Sequence, residues 1–344
     1  MSTQGSDYRD LKREVWDRGR CSGCGGCVAV CPADAILFNG NGDDSYPVTT
    51  GYCKHATDGV PCGACYAVCP RVAPMVTDAP LGTYRRIVMG RAELEIPRKQ
   101  SGGAVTAILA SALDEGLIDA VVTVTEDRWT LRPSSAVITG SEALIHEAGS
   151  RYSWWVPLLA ALKTAVVERK YRRIAVVGVP CVAKAVDRIR ETDHDLLRPY
   201  ADSIRLVVGL FCTESFDYRT LVEDVLHGKH GIETWQVTRL DVRGKLVVTQ
   251  ENGATVTIPL KDLEETVRSG CRVCTDLTAV TADISAGAIG SREGYTTLII
   301  RTPVGEGFVS HAVNTGKLLL EEGVDIPAIE KRAAAKKEKG MDEQ

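Results

Sequence analysis

The sequence predicts an α/β core with a mixed sheet, preceded by a small, cysteine-rich α+β domain. Two observations lead to this prediction. Eight of the twelve cysteines lie between Cys21 and Cys69, in a stretch with few long apolar runs. From about Leu81 onward, short Val/Ile-rich segments alternate with segments whose apolar residues follow helical spacing, a pattern typical of α/β sheet proteins. We therefore expect three parts, residues 1–80, 81–325 and a charged C-terminal tail, 326–344.

Composition narrows the class of protein and of partner. The chain has 344 residues, 44% hydrophobic and 25% charged, which suits about two folded domains and argues against disorder. The formal net charge of −4 gives no basic field for nucleic acid or an anionic membrane. No apolar run approaches the ~18 residues of a membrane span, and the first residues do not resemble a secretory leader. We expect a cytoplasmic protein whose cysteines are metal ligands or catalytic thiols rather than disulfides.

The elements of the core follow from hydrophobic periodicity. Buried strands are predicted at Asp119–Thr125, Arg172–Gly178, Ser203–Phe211 and Tyr295–Arg301, with a hairpin from Thr234–Asp241 and Lys245–Thr249. Helices are predicted at Gly103–Glu115, Val156–Glu168, Phe216–Leu226 and Val309–Glu321. The domain boundary is placed in Val76–Leu81. Residues Glu330–Gln344 are rich in Lys, Ala and Glu without an apolar stripe, which predicts a solvated helix or a frayed tail.

The cysteine-rich part contains two related motifs. The first is C-x2-C-x2-C-x3-C-P, at Cys21, Cys24, Cys27 and Cys31. This spacing binds three thiolates to one 4Fe–4S cubane and sends the fourth to another. The second motif repeats the last three ligands at Cys62, Cys65 and Cys69, and Cys53 replaces the missing first ligand after an eight-residue insertion, Lys54–Pro61.

These motifs predict a bacterial-type ferredoxin domain with two 4Fe–4S clusters. The predicted ligand sets are Cys21, Cys24, Cys27 and Cys69 for one cluster, and Cys31, Cys53, Cys62 and Cys65 for the other. Structural zinc is the alternative, but it usually uses two separate CxxC pairs. Two copies of the cubane spacing, each ending in Cys-Pro, favour iron and sulfide.

Four cysteines remain, Cys181, Cys212, Cys271 and Cys274. Any one of them alone would normally be a small buried hydrophobe. Cys181 and Cys212, however, follow predicted parallel strands, where open α/β sheets place their sites, and Cys271 and Cys274 form a CxxC pair. Spacing alone leaves both a third metal site and simple packing open.

The core from Leu81 to about Glu322 resembles the beta subunit of coenzyme F420-reducing hydrogenase. The same module occurs in F420-dependent formate dehydrogenase and in the input subunit of F420H2 dehydrogenase. The matching stretches are Leu81–Tyr84, Gln100–Thr106, Gly149–Ser153, Val179–Cys181, Gly209–Ser215, Cys271–Asp276 and Ala282–Ser285. The resemblance implies FAD, coenzyme F420 as substrate and one core 4Fe–4S cluster on Cys181, Cys212, Cys271 and Cys274. A ferredoxin domain placed before this core resembles the arrangement in the F420H2 dehydrogenase input subunit, or in the front half of F420-dependent sulfite reductase.

Neither standard nucleotide fingerprint is present. In their place, Gln100-Ser-Gly-Gly-Ala opens an apolar helix, whose N–H groups and macrodipole suit a pyrophosphate; the other interpretation is an ordinary N-cap and turn. Arg151 and Tyr152 offer a phosphate-pairing guanidinium and a stacking ring, or belong to a surface loop. The predicted cofactor contacts are Gln100, Ser101, Gly102, Gly103, Ala104, Thr106, Gly149, Ser150, Arg151, Tyr152 and Pro180. No catalytic side chain is expected.

The order of the cofactors follows from the number of electrons that each one transfers. Reduced F420 delivers two electrons together as a hydride, whereas an iron–sulfur cluster accepts one at a time. A flavin can accept the hydride and release single electrons, so it belongs between them. The expected function is hydride transfer from reduced F420 to FAD, with single electrons passing through three 4Fe–4S clusters to a membrane-bound F420H2 dehydrogenase complex or a ferredoxin. The protein would then lie in the cytoplasm, or peripherally on the inner face of the membrane through its partner. One alternative is the beta subunit of an F420-reducing formate dehydrogenase or hydrogenase; another is a flavin-free, ferredoxin-like carrier.

Overall fold

The computed structural model describes residues 5–38, 46–73, 79–149, 155–242 and 244–343. Its N-terminal part, the head, is a small α+β unit. The head consists of α1 (Tyr8–Leu11), a π-helical turn (Lys12–Trp16), α2 (Gly26–Ala29), the antiparallel pair β1 (Ile36–Leu37) and β2 (Val48–Thr49), α3 (Lys54–Asp58) and α4 (Ala64–Val68). Gly25 and Gly63 precede α2 and α4 with φ of 81° and 94°, a left-handed conformation that favours glycine. Each turn lies directly after a cysteine, so the two motifs fold alike.

The strands of the core form two sheets. They are β3 (Arg86–Ala92), β4 (Ala120–Glu126), β5 (Pro133–Ile138), β6 (Ile174–Gly178), β7 (Ile204–Leu210), β8 (Val237–Val242), β9 (Lys245–Gln250), β10 (Thr255–Pro259), β11 (Ile284–Gly287), β12 (Thr296–Ile300) and β13 (Leu318–Glu321). The larger sheet has eight strands in the order β13-β3-β12-β11-β7-β6-β4-β5. The neighbours β4, β6, β7 and β11 are parallel, whereas β5, β12 and β13 are antiparallel to their neighbours. This mixed sheet behind a cysteine-rich head confirms the predicted fold class.

Helices cover both faces of the large sheet. They are α5 (Ala104–Asp114), α6 (Ser141–His146), α7 (Ala160–Lys163), α8 (Pro180–Glu191), α9 (Arg198–Ser203), α10 (Ser269–Arg272), α11 (Pro303–Asn314) and α12 (Ile326–Asp342), with π-helical segments at Thr164–Glu168 and Arg219–Lys229 and 3₁₀ turns at Thr234–Gln236 and Leu260–Thr266. Alternate residues of a strand point to opposite faces. Accordingly, Val176 and Val207 join one apolar cluster with α7 and α8, and Val177 and Val208 join another with α5 and α11.

The head shares an apolar core with the main sheet. Ala29, Val30, Ala67 and Val68 of the head belong to the same buried cluster as α8. The head therefore covers α7 and α8 on one face of the sheet. The segment 74–78, which contains the first half of the predicted boundary, lies outside the described residues.

A three-stranded antiparallel sheet, β10-β9-β8, has its own apolar core with Phe216, Leu221 and Leu226. Its β8–β9 pair confirms the predicted hairpin. Among the described residues, none of the helices is both long enough and apolar enough to cross a membrane.

The C-terminal region differs from the sequence prediction in two places. The helix expected at Val309–Glu321 instead begins at Pro303, where Thr302 accepts a hydrogen bond from the Gly305 N–H, and it ends at Asn314. Gly316, with φ of 70°, breaks it, and Leu318–Glu321 adds the edge strand β13. The predicted tail forms the helix α12, whose Ile329, Ala333 and Gly340 are buried. The expectation of a solvated helix is thus wrong for one face of α12, because that face uses small residues that leave little hydropathy signal.

Candidate functional site

Two cavities in the head are each lined by four cysteines. Cys21, Cys24, Cys27 and Cys69 line one cavity. Cys31, Cys53, Cys62 and Cys65 line a second cavity. Each motif therefore contributes three cysteines to one cavity and its last cysteine to the other, as the cubane spacing requires. Cys53, beyond the insertion, lies with the second set.

Burial keeps thiols of the first head cavity protonated in the absence of metal, while backbone N–H groups approach sulfur in both cavities. Burial raises the pKa of Cys21 to about 11 and of Cys69 to about 12, so iron binding must displace protons from these thiols. Backbone N–H groups already point at sulfur, since Gly23 N lies 3.4 Å from Cys21 Sγ and Ala35 N lies 3.3 Å from Cys31 Sγ. Such hydrogen bonds stabilise the ligand charge and help set a cluster's potential.

The remaining four cysteines come together in the core. Cys181 is the second residue of α8, Cys212 follows the carboxyl end of β7, and Cys271 and Cys274 surround the end of α10. Burial raises the pKa of Cys212 to about 12, with further increases from the neighbouring Cys271 and Cys274. Burial also raises the pKa of Cys181, with further increases from Cys24 of the head and then from Cys274 and Cys271. Ser215 N donates to Cys271 Sγ at 3.4 Å. We call these four residues the core quartet.

Two cations border the core quartet, and sequence reasoning missed both. Arg71 donates to Gly270 O at 2.9 Å, and Lys336 of α12 donates to Cys212 O. Although burial opposes ionisation, Lys336 and Arg71 lower the pKa of Cys274 below its ordinary value. Burial likewise disfavours the charged form of Lys336, but the thiols of Cys274 and Cys212 raise its pKa overall. Arg71 directly follows Cys69-Pro70, which was an available signal; Lys336 had none.

The core quartet adjoins the first head cavity. A Cβ on Gly270 would lie 2.0 Å from Cys21 O, so the CxxC loop packs directly on the first motif. Trp155 Nε1 donates to Gly23 O at 2.6 Å, and the Arg268 guanidinium lies 4.3 Å from the Trp155 ring centroid. The second head cavity lies toward the surface, because its Cys53 and Cys62 are only half-buried.

The arrangement of the cysteine motifs bears on the choice between iron–sulfur clusters and structural zinc. Within the described ranges, no set of three or more Cys, His, Asp or Glu side chains converges on a single metal ion. Each motif has its first three cysteines at one cavity and its last cysteine at the other, which is the ligand pattern of paired 4Fe–4S clusters.

The predicted flavin turn, Gln100–Gly103, lies beside the carboxyl end of β3, where Ala92 N donates to Gly102 O at 2.7 Å. Because β3 runs in the same direction as β6 and β7, this turn shares the carboxyl edge of the sheet with Cys181 and Cys212. Gln100 Nε2 donates to Leu240 O at 3.1 Å, which links the turn to the three-stranded sheet. Gly149 is exposed, and Pro180 is buried at the start of α8. Ser150, Arg151 and Tyr152 lie outside the described residues.

The N–H groups of Gly102 and Gly103, which we expect to face a phosphate, already have hydrogen-bond partners within the protein. Gly102 N donates to Thr296 Oγ1 at 3.0 Å, and Gly103 N donates to Gln100 O at 3.3 Å. Their absent side chains serve packing instead, since a Cβ on Gly102 would lie 2.3 Å from Gly90 O. Among the described residues, the N–H groups of Ala104 and Thr106, in the first turn of α5, have no partner. An anion at this helix start would meet those donors.

Comparison with known proteins identifies the family of the core. A model of the coenzyme F420 hydrogenase/dehydrogenase beta subunit matches residues 87–163 with its N-terminal part and 171–325 with its C-terminal part. A 4Fe–4S binding domain matches residues 14–37, so the head is an iron–sulfur domain.

Three relatives show how far this likeness extends. The coenzyme F420-dependent sulfite reductase of Methanocaldococcus jannaschii is 34% identical over 94% of this chain and 50% of its own length. A subunit of the F420H2 dehydrogenase of Methanosarcina mazei is 31% identical over 86% of this chain and 83% of its own. A chain of the xenon-derivatised F420-reducing NiFe hydrogenase complex from Methanosarcina barkeri superposes with a TM-score of 0.72 at 31% identity, covering 78% of this chain and 94% of that one. The protein therefore belongs to the family of coenzyme F420 hydrogenase/dehydrogenase beta subunits, with a 4Fe–4S domain at its N-terminal side.

Proposed function

We propose that this protein takes a hydride from reduced coenzyme F420 onto bound FAD and passes single electrons through three 4Fe–4S clusters to a partner complex or a ferredoxin. FAD, when bound, accepts two electrons together and releases them one at a time. The family supports an F420-dependent oxidoreductase role. The flavin, the number of clusters and the direction of electron flow are our proposal.

One observation carries this proposal, the continuous arrangement of three cysteine quartets. The core quartet lies at the same sheet edge as the start of α5 and packs against the first head cavity through Gly270 and Cys21. The second head cavity, with its half-buried Cys53 and Cys62, leads to the surface. A hydride acceptor at the sheet edge would thus have a one-electron route outward.

The chain's own residues supply binding and charge rather than proton transfer. The free N–H groups of Ala104 and Thr106, together with the dipole of α5, suit the flavin pyrophosphate. Pro180 starts α8 and places Cys181 in its first turn, where the helix dipole favours a thiolate.

Rapid mixing with reduced F420 under anaerobic conditions tests the proposal. The flavin absorption should fall first, and cluster absorption should fall at the same rate or more slowly. NADH should give no reduction, because the chain lacks a dinucleotide fingerprint. Faster reduction by NADH than by reduced F420 would overturn the substrate assignment, and protein isolated without flavin absorption would favour the flavin-free carrier.

Two cysteine variants locate the electron route. Cys271→Ser should leave flavin reduction intact but prevent F420-driven reduction of the head clusters. Cys62→Ser should allow reduction of the first head cluster and slow only the delivery to the partner. Wild-type delivery in Cys62→Ser would remove the second cavity from the route. Point variants are preferable to truncation before Leu81, because the head and core share buried residues.

A second candidate uses the same residues in the opposite direction. The likeness to a chain of an F420-reducing hydrogenase complex favours a beta subunit that reduces F420 with electrons from a hydrogenase or formate dehydrogenase. Identifying the subunits that copurify with this chain distinguishes oxidation of reduced F420 from reduction of F420. Copurification with a membrane-bound F420H2 dehydrogenase complex would support F420H2 oxidation and a peripheral location on the inner face of the membrane. Copurification with a hydrogenase or formate dehydrogenase subunit would support F420 reduction.

A further inference from the structure

Helix α12 lies beyond residue 325, where the family model ends, yet it packs at the core quartet. Ile329 and Ala333 are buried with Leu277, which follows the CxxC pair, and with Leu81. A Cβ on Gly340 would lie 2.6 Å from Cys274 O. The helix therefore touches the backbone of one predicted cluster ligand directly.

Lys336 occupies the same face of the helix. Ile329, Ala333, Lys336 and Gly340 are separated by four, three and four residues, which places them in one stripe. A cation on the inward face of a helix is costly unless opposite charge or hydrogen bonds compensate it. Lys336 Nζ donates to Cys212 O, and its electrostatic neighbours are Cys274, Cys212, Cys271 and Asp276. A lysine in this place therefore faces the ligands of the core quartet.

We propose that Lys336 is a positioning residue of the core cluster, which holds the Cys212 backbone and fixes a positive charge beside the quartet so that the cluster is easier to reduce. The inference rests on the proposed function, because it requires a cluster on the quartet. One-electron reduction changes a 4Fe–4S cluster with four thiolates from a net charge of about −2 to about −3, without a proton. A nearby cation stabilises the more negative form, so removing it lowers the potential.

Potentiometric titration with dithionite, followed by EPR, measures this effect in the full chain. The core signal is the one absent from Cys271→Ser. Lys336→Met should make reduction about tenfold less favourable, a fall of about 59 mV for one electron. Lys336→Arg keeps the charge and should keep the wild-type potential. Lys339→Met removes the same charge from an exposed position on the same helix and serves as the matched control.

The core potential and the core iron content of the variants distinguish a charge effect of Lys336 from a steric one. A core potential in Lys336→Met equal to that of Lys339→Met would overturn the proposal. Loss of core iron in Lys336→Met but not in Lys336→Arg would support it, because charge alone would then hold the site together. Equal loss in both variants would indicate a steric role and overturn it. A wild-type protein with about eight iron atoms and no core signal would instead refute the third cluster, and with it the proposed function on which this inference rests.

Discussion

Replacing Gly340 with alanine should destabilise the protein, although the same change in an unobstructed helix is stabilising. Alanine is favoured over glycine in a helix interior by about 1 kcal/mol. At Gly340 the added Cβ would lie 2.6 Å from Cys274 O and 2.8 Å from Cys274 C. Both are backbone atoms, which cannot rotate away. Ordinary contact begins at 3.4 Å, so α12 or the CxxC loop must move by about 0.8 Å.

Overpacking of this kind typically costs about 1–3 kcal/mol. The cost offsets the helical gain and leaves a net loss of up to ~2 kcal/mol. In a chain of this size, 1 kcal/mol changes the apparent Tm by roughly 2 °C, so Gly340→Ala should lower it by up to ~4 °C. At Gly307, in the interior of α11, an added Cβ would have nothing within 4 Å; Gly307→Ala should raise the apparent Tm by about 2 °C.

Thermal unfolding of the cluster-loaded proteins by far-UV circular dichroism, at one scan rate, compares the two variants. A fixed scan rate is needed because unfolding of such proteins is often irreversible. Iron analysis of Gly340→Ala should also show weaker retention of core iron. If Gly340→Ala raises the apparent Tm as Gly307→Ala does, α12 does not press on Cys274, and the geometric basis for Lys336 fails with it.

Three further predictions concern the cofactors. Anaerobically prepared protein should contain about twelve iron atoms and twelve acid-labile sulfides per chain, and Cys271→Ser should lose about four of each; stoichiometric zinc with four or fewer iron atoms would refute the head assignment. Thr106→Glu should lose bound flavin by repelling its pyrophosphate, although an acidic residue at a helix start favours folding, whereas Thr106→Gln should retain it; equal retention would move the flavin site elsewhere. Cluster-free protein should lose stability between about pH 9 and pH 12. Burial raises the pKa of Cys21 from 9.0 to about 11 and that of Cys69 from 9.0 to about 12, so in this range these thiols ionise more readily in the unfolded chain than in the folded protein. An apparent Tm that stays unchanged from pH 8 to pH 10 would contradict this.

The predictions that the structure confirms rest on local patterns in the sequence. The strands predicted at Asp119–Thr125, Arg172–Gly178 and Ser203–Phe211 form as β4, β6 and β7 with small shifts at their ends, because Val/Ile-rich runs flanked by turn residues favour buried strands. The helix predicted at Val309–Glu321 failed because Leu318–Glu321 is apolar at a spacing that suits either a helix or a strand. Pairing with β3, distant in sequence, decided between them.

The glycine turn before α5 shows the same limit at the candidate site. Its sequence correctly indicated the start of a helix, which begins at Ala104. Which N–H groups remain available depended on Thr296 and Gly90, which lie on other strands. Hydrogen-bond accounting needs the neighbours as well as the segment.

The sequence by itself determined the fold class and the division of eight cysteines between two head cavities, because most successive cysteines of each motif have only two or three residues between them and constrain each other through the local backbone. Only the tertiary structure decided that Cys181, Cys212, Cys271 and Cys274 meet, that Arg71 and Lys336 border them, and that the head packs on the core. These contacts join residues far apart in the chain, and the physical reason is packing. The sheet order places the ends of β6 and β7 side by side, and the missing side chain of Gly340 lets α12 pack closely against Cys274. The hydrophobic periodicity of a single segment cannot predict such contacts between distant segments.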